Sequence, residues 1–198
     1  AMKGQTIGVI GGTGSGKSSL VNLIPRLYDA TQGEVLVDGV NVKDYDIEAL
    51  RNKVGIVMQK AVLFKGTIRE NMWMGKKGAT DEQIDEALEI SQSKEFVDSK
   101  QGRLDYVIEQ GGKNLSGGQR QRLTIARAIV RKPDVLILDD SASALDFATD
   151  AALRKAIRGI NNSPTVFIVS QRAASLMYAD LIIVLDDGQV AGMGTHDE

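Results

Sequence analysis

The sequence predicts an α/β fold: a mostly parallel sheet buried between helices, with an inserted helical subdomain and a small antiparallel β element. Continuous apolar runs alternate with helical segments in both end regions of the chain, which is typical of parallel strands buried on both faces. Between about residues 66 and 132 the patterns are helical instead. We therefore predict one domain, with a core of residues 1–65 and 133–198 and a helical subdomain of residues 66–132.

The first part of the chain begins with an apolar run at 6–10, which predicts a buried strand. A helix should follow from about 17 to 27, with Pro25 ending or kinking it. Two short strands joined at Asp38-Gly39 predict a β-hairpin. The remaining expected elements of this part are hairpin strands at 34–37 and 40–42, a short helix at 47–51 and a strand at 54–58.

The helical stretch should begin with a helix at 66–73. Thr80 and Gln83 have the spacing of a capping box, so a helix should start at Thr80. The helical stretch should also contain a short helix at 93–97 and a long helix from 116 that ends before Pro133. After Pro133 strands and helices alternate again, with a strand at 135–139, a helix at about 149–160, and strands at 165–169, 181–185 and 189–191.

The amino-acid composition argues against several classes of protein. Hydrophobic residues make up 42% and charged residues 25% of the chain, as in ordinary globular proteins. The net charge of −2 argues against a nucleic-acid surface. The absence of Cys excludes disulfides and thiolate metal sites. No apolar run approaches the 18 residues or so of a membrane-spanning helix.

The segment Gly11-Gly12-Thr13-Gly14-Ser15-Gly16-Lys17-Ser18 has the form G-x-x-x-x-G-K-S between a predicted strand and a predicted helix. Glycines let the backbone bring its N–H groups close to phosphate oxygens, and the helix dipole adds to the attraction. Lys17 should reach the β- and γ-phosphates, and the Ser18 hydroxyl should hold Mg²⁺. The predicted phosphate-binding residues are Gly12, Thr13, Gly14, Ser15, Gly16, Lys17, Ser18 and Ser19.

Two further motifs accompany this loop. Asp139 follows four apolar residues, so its carboxylate should lie at the end of a buried strand and reach Mg²⁺. Leu115-Ser116-Gly117-Gly118-Gln119 places a hydroxyl and two glycine amides at the start of a long helix, which is a second anion site. One nucleotide does not need two such helix ends, so we expect the second to serve the nucleotide of another subunit.

With these motifs in this order along the sequence, the chain resembles the nucleotide-binding domain of ABC transporters over essentially its whole length. Residues 11–18 match Walker A, 115–119 the signature and 135–139 Walker B. Gln59 matches the Q-loop glutamine, and 143–146 match the D-loop. The segments 63–71 and 109–112 resemble the exporter type. The resemblance implies a P-loop NTPase fold with a RecA-like core, ATP and Mg²⁺ as ligands, and ATP hydrolysis coupled to transport.

In the family, two such domains sandwich ATP head to tail. The resemblance therefore implies a second nucleotide-binding domain and a transmembrane domain as partners, and a place at the cytoplasmic face of the membrane. It assigns Mg²⁺ to Ser18, Gln59 and Asp139. It also assigns nucleotide contacts to Gln59, Ser116, Gly117, Gly118 and Gln119, and roles in catalysis to Lys17 and to positions 140 and 171.

Two catalytic positions depart from the family pattern. The family has Glu after Walker B, where this chain has Asp140, whose carboxylate sits roughly 1.5 Å further back; a misplacement of about 1 Å can cost on the order of 10²-fold in rate. Gln171 stands where the family has its switch histidine, and an amide carries no proton at neutral pH. Together these changes resemble the degenerate half of a heterodimeric exporter, although a homodimer remains open.

Three functional interpretations remain open at this point. The chain is the ATP-hydrolysing domain of an exporter, a nucleotide-binding regulatory module with little hydrolysis, or a soluble ABC ATPase outside transport. The family's adenine-stacking aromatic lies some 25 residues upstream of the phosphate loop, at a position before Ala1. We therefore expect weak ATP binding, since base stacking is worth about 1–3 kcal/mol in nucleic-acid complexes. The lone His196 should lie on the surface.

Overall fold

The computed structural model describes residues 1–198 and divides the chain into two compact units. The first comprises residues 1–56, 133–140 and 164–198, and the second comprises residues 57–132 and 141–163. The helices and strands, in chain order, are β1 (Thr6–Gly11), α1 (Lys17–Asn22), β2 (Leu36–Val37), β3 (Val40–Asn41), α2 (Ile47–Lys53), β4 (Val54–Val57), β5 (Gly66–Thr67), α3 (Ile68–Trp73), α4 (Asp81–Ile90), α5 (Lys94–Asp98), β6 (Val107–Ile108), α6 (Gly117–Ile129), β7 (Val135–Asp139), α7 (Phe147–Arg158), β8 (Thr165–Ser170), β9 (Leu181–Asp186) and β10 (Gln189–Gly194).

A six-stranded sheet with the order β10-β9-β1-β8-β7-β4 forms the first unit. Strand β1 runs parallel to both β8 and β9, and β7 runs parallel to β8, whereas β10 runs antiparallel to β9. Val9, Ile137 and Val169 come from three neighbouring strands and are at most 2% exposed in one hydrophobic cluster. The predicted mostly parallel sheet is confirmed, because continuous apolar runs bury both faces of a strand.

Helix α1 is shorter than predicted, since it ends at Asn22 rather than near residue 27. The amides of Leu23 and Ile24 donate to carbonyls three residues earlier, so the chain tightens into turns before Pro25. Proline has no N–H group, and its ring would collide with the carbonyl four residues before it. Pro25 therefore ends the helix at Asn22, before the proline itself is reached.

The predicted hairpin is confirmed, with Leu36 opposite Asn41 and Val37 opposite Val40. Its strands are shorter than expected, since Val42 belongs to a 3-10 turn instead of the second strand. Val42 is buried there against Val37 and Leu50. The predicted helix at 47–51 is also confirmed and continues to Lys53 as α2.

In the second unit, the expected helix at 66–73 is correct from Ile68 but wrong at its first two residues. Gly66 and Thr67 pair antiparallel with Ile108 and Val107 as β5 and β6. The Thr67 hydroxyl accepts from the Glu70 amide at 3.0 Å, and the Glu70 carboxylate accepts from the Thr67 amide at 2.7 Å. This capping box begins the helix at Ile68 because it satisfies N–H groups that a helix start leaves free.

The capping box predicted at Thr80 is confirmed, and the helix it begins is α4. Helix α5 lies one residue later than predicted, and α6 ends before Pro133 as expected. Helix α7 begins at Phe147 rather than 149, because the Asp146 carboxylate accepts from the Thr149 amide at 2.9 Å and caps the first turn. None of the helices combines the length and apolarity that a bilayer crossing requires.

Candidate functional site

The candidate site lies where three strands of the first unit reach the same edge of the sheet. The parallel register pairs Ile10 with Ser170, and Asp139 with Val169. The carboxyl ends of β1, β8 and β7 therefore coincide, and each leads into residues singled out by the sequence. Ligands of open α/β sheets bind outside the carboxyl ends of the strands.

The loop after β1 forms an open backbone cradle. Gly14 and Gly16 have φ values of 78° and 96°, which side chains rarely allow. Apart from the adjacent residues of the chain, no atom lies within 4 Å of the space that a Cβ on Gly12 or Gly14 would fill. Gly11 is different, because a Cβ there would overlap the Leu185 carbonyl oxygen and the Ser15 hydroxyl. The loop is therefore packed at its base and open on the side that turns away from the fold.

Lys17 is the charged group beneath this cradle, and only 9% of it is exposed. Its Nζ donates to the carbonyls of Gly11 and Gly12 at 2.8 and 2.7 Å and lies 3.5 Å from the Ser15 hydroxyl. These partners are neutral, and a buried ammonium without a counter-charge is costly. An anion held by the loop would supply that charge, so the residues present fit a bound phosphate group.

The loop is braced by the turn between β9 and β10, a contact that the sequence analysis did not foresee. The Gly188 amide donates to the Ser15 carbonyl at 3.1 Å, and a Cβ on Gly16 would lie 3.7 Å from the Gly188 Cα. The segment Asp186-Asp187-Gly188 is recognisable as a turn from its sequence. Its contact partner is about 170 residues away along the chain, and no local signal predicts such a contact.

Asp139 ends strand β7, and Asp140 directly follows it. Asp139 is 6% exposed, and its carboxylate is one of the few buried charged groups of the chain. Asp140 has a φ of 47°, in the left-handed region, and its amide donates to the Val169 carbonyl at 2.9 Å. Asp tolerates this backbone conformation better than most residues. The backbone bond to β8 fixes where the Asp140 side chain leaves the sheet.

Gln171 directly follows β8 and faces the phosphate loop. Its Nε2 lies 3.4 Å from the Thr13 Oγ1, a long hydrogen bond between two exposed side chains. Ser170 next to it is buried, and its hydroxyl accepts from the Arg172 amide at 3.0 Å. The first unit thus brings together the loop, Asp139, Asp140 and Gln171, all of which the sequence analysis singled out.

The other predicted site residues belong to the second unit. Gln59 is exposed there, just after β4. The Ser116 hydroxyl accepts from the Gln119 amide at 3.1 Å, and Gln119 Oε1 accepts from the Ser116 amide at 3.1 Å. This capping box starts α6 and leaves Gly117 and Gly118 in its first turn, where N–H groups have no partner within the helix.

Comparison with known proteins shows the family to which this chain belongs. A sequence profile described as ABC transporter matches residues 1–143. Two relatives from Staphylococcus aureus, strains NCTC 8325 / PS 47 and COL, are each 40% identical over 196 residues. The alignments cover 99% of this chain and 34% of each relative. Both relatives carry the name of a multidrug export ATP-binding/permease protein.

A solved structure agrees with the sequence relatives. It is that of a bacterial Atm1-family ABC exporter with ATP bound, and it superimposes with a TM-score of 0.93 at 33% identity. The match covers 98% of this chain and 34% of that one. The chain therefore spans about a third of the length of the proteins it matches.

Proposed function

We propose that this chain, which belongs to the ABC transporter family, is the ATP-binding domain of an export transporter. Membership follows from the profile match and from relatives that are 40% identical along almost the whole chain. The observation that carries the binding function is Lys17, a buried ammonium with neutral partners beneath an open glycine cradle. ABC domains bind ATP, and the triphosphate is the anion that this arrangement fits.

We assign the triphosphate to the loop residues 12–19, with Lys17 as the charged contact. Ser18, Gln59 and Asp139 offer a hydroxyl, an amide oxygen and a carboxylate, which are the hard oxygen donors that Mg²⁺ prefers. When bound there, Mg²⁺ would neutralise charge on the β- and γ-phosphates. The protein's own part is to orient the nucleotide by the loop amides and to keep Lys17 desolvated until the anion arrives.

Asp140 and Gln171 act on the attacking water and the γ-phosphate in our proposal. Asp140 is the general base, but its carboxylate is one methylene shorter than the family's Glu. Gln171 donates a hydrogen bond through Nε2, and it takes up no proton at neutral pH. General base catalysis depends on correct position and proton affinity, so this chain's own site should hydrolyse ATP slowly.

The partners follow from the same proposal. Residues 115–119 complete the nucleotide site of a second ABC domain, head to tail, and a heterodimer with a competent partner is favoured over a homodimer by Asp140 and Gln171. A transmembrane domain is the second partner, which places this domain at the cytoplasmic face of a membrane. The relatives' names support export, and nucleic acid is not expected as a partner. The division into a core of 1–65 and 133–198 and a signature subdomain of 66–132 stays part of the proposal.

A regulatory module that binds ATP without hydrolysis is the second candidate, favoured by the same two side chains. Single-turnover hydrolysis with excess chain over ATP separates the candidates. We expect Asp140→Glu with Gln171→His to hydrolyse at least about 10-fold faster than the wild type. A matched control is Asp38→Glu, the same change at another residue with positive φ (52°), in the β2–β3 turn.

A wild-type rate equal to that of the double variant would contradict the slow-site proposal and favour an ordinary hydrolysing domain. A wild-type rate at background, restored only in the double variant, would favour the regulatory module. Failure of both proteins to bind ATP would contradict the proposed function itself.

A further inference from the structure

Arg122 lies in the second turn of α6 and reaches back to the turn that carries residues 115–119. Its Nε is 3.4 Å from the Gly118 carbonyl, and its Nη1 donates to the Gln92 carbonyl at 2.5 Å. The guanidinium lies 4.9 Å from the centre of the Phe96 ring. One side chain therefore connects the first turn of α6 with the segment between α4 and α5.

The acceptor that Arg122 uses is itself held in a fixed direction. Gln92 has a φ of 62°, a left-handed conformation that turns the chain after α4. Its side-chain Nε2 donates to the carbonyls of Glu89 and Ile90 at 3.1 and 3.3 Å, which caps the end of that helix. The Gln92 carbonyl is thus a rigid anchor, and Phe96 adds a flat surface on which the guanidinium stacks.

The first turn of α6 also lies close to the Ala144 carbonyl. A Cβ on Gly118 would lie 3.4 Å from the Ala144 carbonyl oxygen. Burial lowers the pKa of Arg122, and the carboxylates of Asp146 and Glu95 oppose this effect through space.

We propose that Arg122 is a positioning residue: by joining Gly118 to Gln92 and Phe96, it orients the first turn of α6 toward the nucleotide of a partner domain. This inference rests on the proposed function, in which residues 115–119 complete a partner's site. Hydrogen-bond donors act on a phosphate only when correctly placed, and an error of about 1 Å costs on the order of 10²-fold. Arg122 does not contact the nucleotide in this proposal.

The test compares two properties of the same 198-residue chain. The first is the affinity of the monomer for a fluorescent ATP analogue, which depends on the loop 11–18. The second is self-association in Mg²⁺ and a non-hydrolysable ATP analogue, measured by sedimentation velocity. For Arg122→Ala we expect monomer affinity within about twofold of wild type and an association constant at least about 10-fold lower.

Arg122→Lys and Phe96→Leu keep the test decisive if the alanine variant folds poorly. Lysine retains one donor for Gln92 but loses the planar fork, so association should fall between wild type and alanine. Phe96→Leu removes only the stacking surface and should weaken association less. The matched control is Arg131→Ala, which removes a donor to the Gly75 carbonyl near the other end of α6 (3.1 Å) and should leave association unchanged.

Hydrogen exchange at the amides of 117–119 gives a readout in the monomer without nucleotide. We expect exchange to be at least about threefold faster in Arg122→Ala than in the control, because the first turn of α6 loses its anchor. Equal association of wild type and all Arg122 variants would overturn the inference while the proposed function stands. A wild type that binds nucleotide but associates neither with itself nor with its Asp140→Glu/Gln171→His variant would overturn the role of 115–119 and, with it, this inference.

Discussion

Lys17 favours the binding of an anion, and it does so at the expense of the stability of the unliganded fold. Lys17 is 9% exposed, and its ammonium is surrounded by the neutral oxygens of Gly11, Gly12 and Ser15. Desolvating a charge without a counter-charge opposes folding, and the free energy is regained when an anion binds. Stability of the unliganded chain and affinity for the nucleotide should therefore depend on this residue in opposite directions.

We predict that Lys17→Met weakens ATP binding by about 100-fold, which corresponds to the loss of a charged hydrogen bond of roughly 3 kcal/mol. Methionine has a similar volume and no charge, so the melting temperature without nucleotide should stay the same or rise. Fluorescent ATP titration and thermal unfolding measure the two effects. The control is Lys43→Met, which removes an exposed lysine that donates to the Ala30 carbonyl at 2.8 Å. A variant that loses both stability and affinity would contradict this account.

Asp140 has a backbone conformation that favours aspartate over glutamate, in addition to its proposed role in hydrolysis. Its φ of 47° suits aspartate, whereas a longer side chain gains no local hydrogen bond that favours this conformation. Asp140→Glu should therefore restore reach toward the water at a small cost in stability. The same cost is expected for Asp38→Glu at a φ of 52°, which separates backbone strain from catalysis in the hydrolysis test.

At the scale of elements, the ends of helices were harder to predict than their existence. Thr67 and Asp146 each cap a helix from a position that the apolar periodicity does not mark. Pro25 acts ahead of its own position, because the proline ring excludes the carbonyl four residues before it. The cap at Thr80 was predicted correctly, since its sequence signature coincides with the start of an apolar face.

Close approach of two elements in the second unit depends on Gly75, which follows α3. A Cβ there would overlap the Arg127 carbonyl oxygen on α6, and the Val130 side chain is also near. We predict that Gly75→Ala lowers the free energy of unfolding by about 1–3 kcal/mol, because α6 cannot yield without disturbing its hydrogen bonds. Urea denaturation measures the change.

The control for Gly75 is Gly159→Ala at the end of α7. A Cβ there would lie 3.4 Å from the nearest atom, the Ala156 carbonyl oxygen, which is ordinary contact. Its unfolding free energy should change by no more than about 0.5 kcal/mol. Similar losses in both variants would mean that the glycines matter through the unfolded chain rather than through packing.

For the whole molecule, ligand binding should appear as added stability. Mg-ATP at about 100 times its dissociation constant should raise the free energy of unfolding by about 2.7 kcal/mol. Thermal unfolding with increasing Mg-ATP measures this rise, which should be absent in Lys17→Met. An equal rise in both proteins would show that the nucleotide binds elsewhere.

The sheet register brings distant segments together in the first unit. The loop after β1 is more than about 100 residues away from the residues after β7 and after β8, yet parallel pairing aligns the three strand ends. These residues were recognisable in the sequence because each motif is local. That Gln171 meets Thr13 and that Gly188 braces Ser15 was not predicted, since both contacts depend on strand order.

Local sequence patterns were enough to predict the fold class, the phosphate loop, the cap of α4, the start of α6 and the resemblance to ABC domains. These depend on local patterns: periodic burial, fixed spacing of glycines, and side chains that bond the backbone three residues away. Tertiary packing accounts for the burial of Lys17, and it brings Arg122 against Gln92 and Gly188 against Ser15. Burial and long-range hydrogen bonds arise from the packing of several segments, and no single segment encodes them.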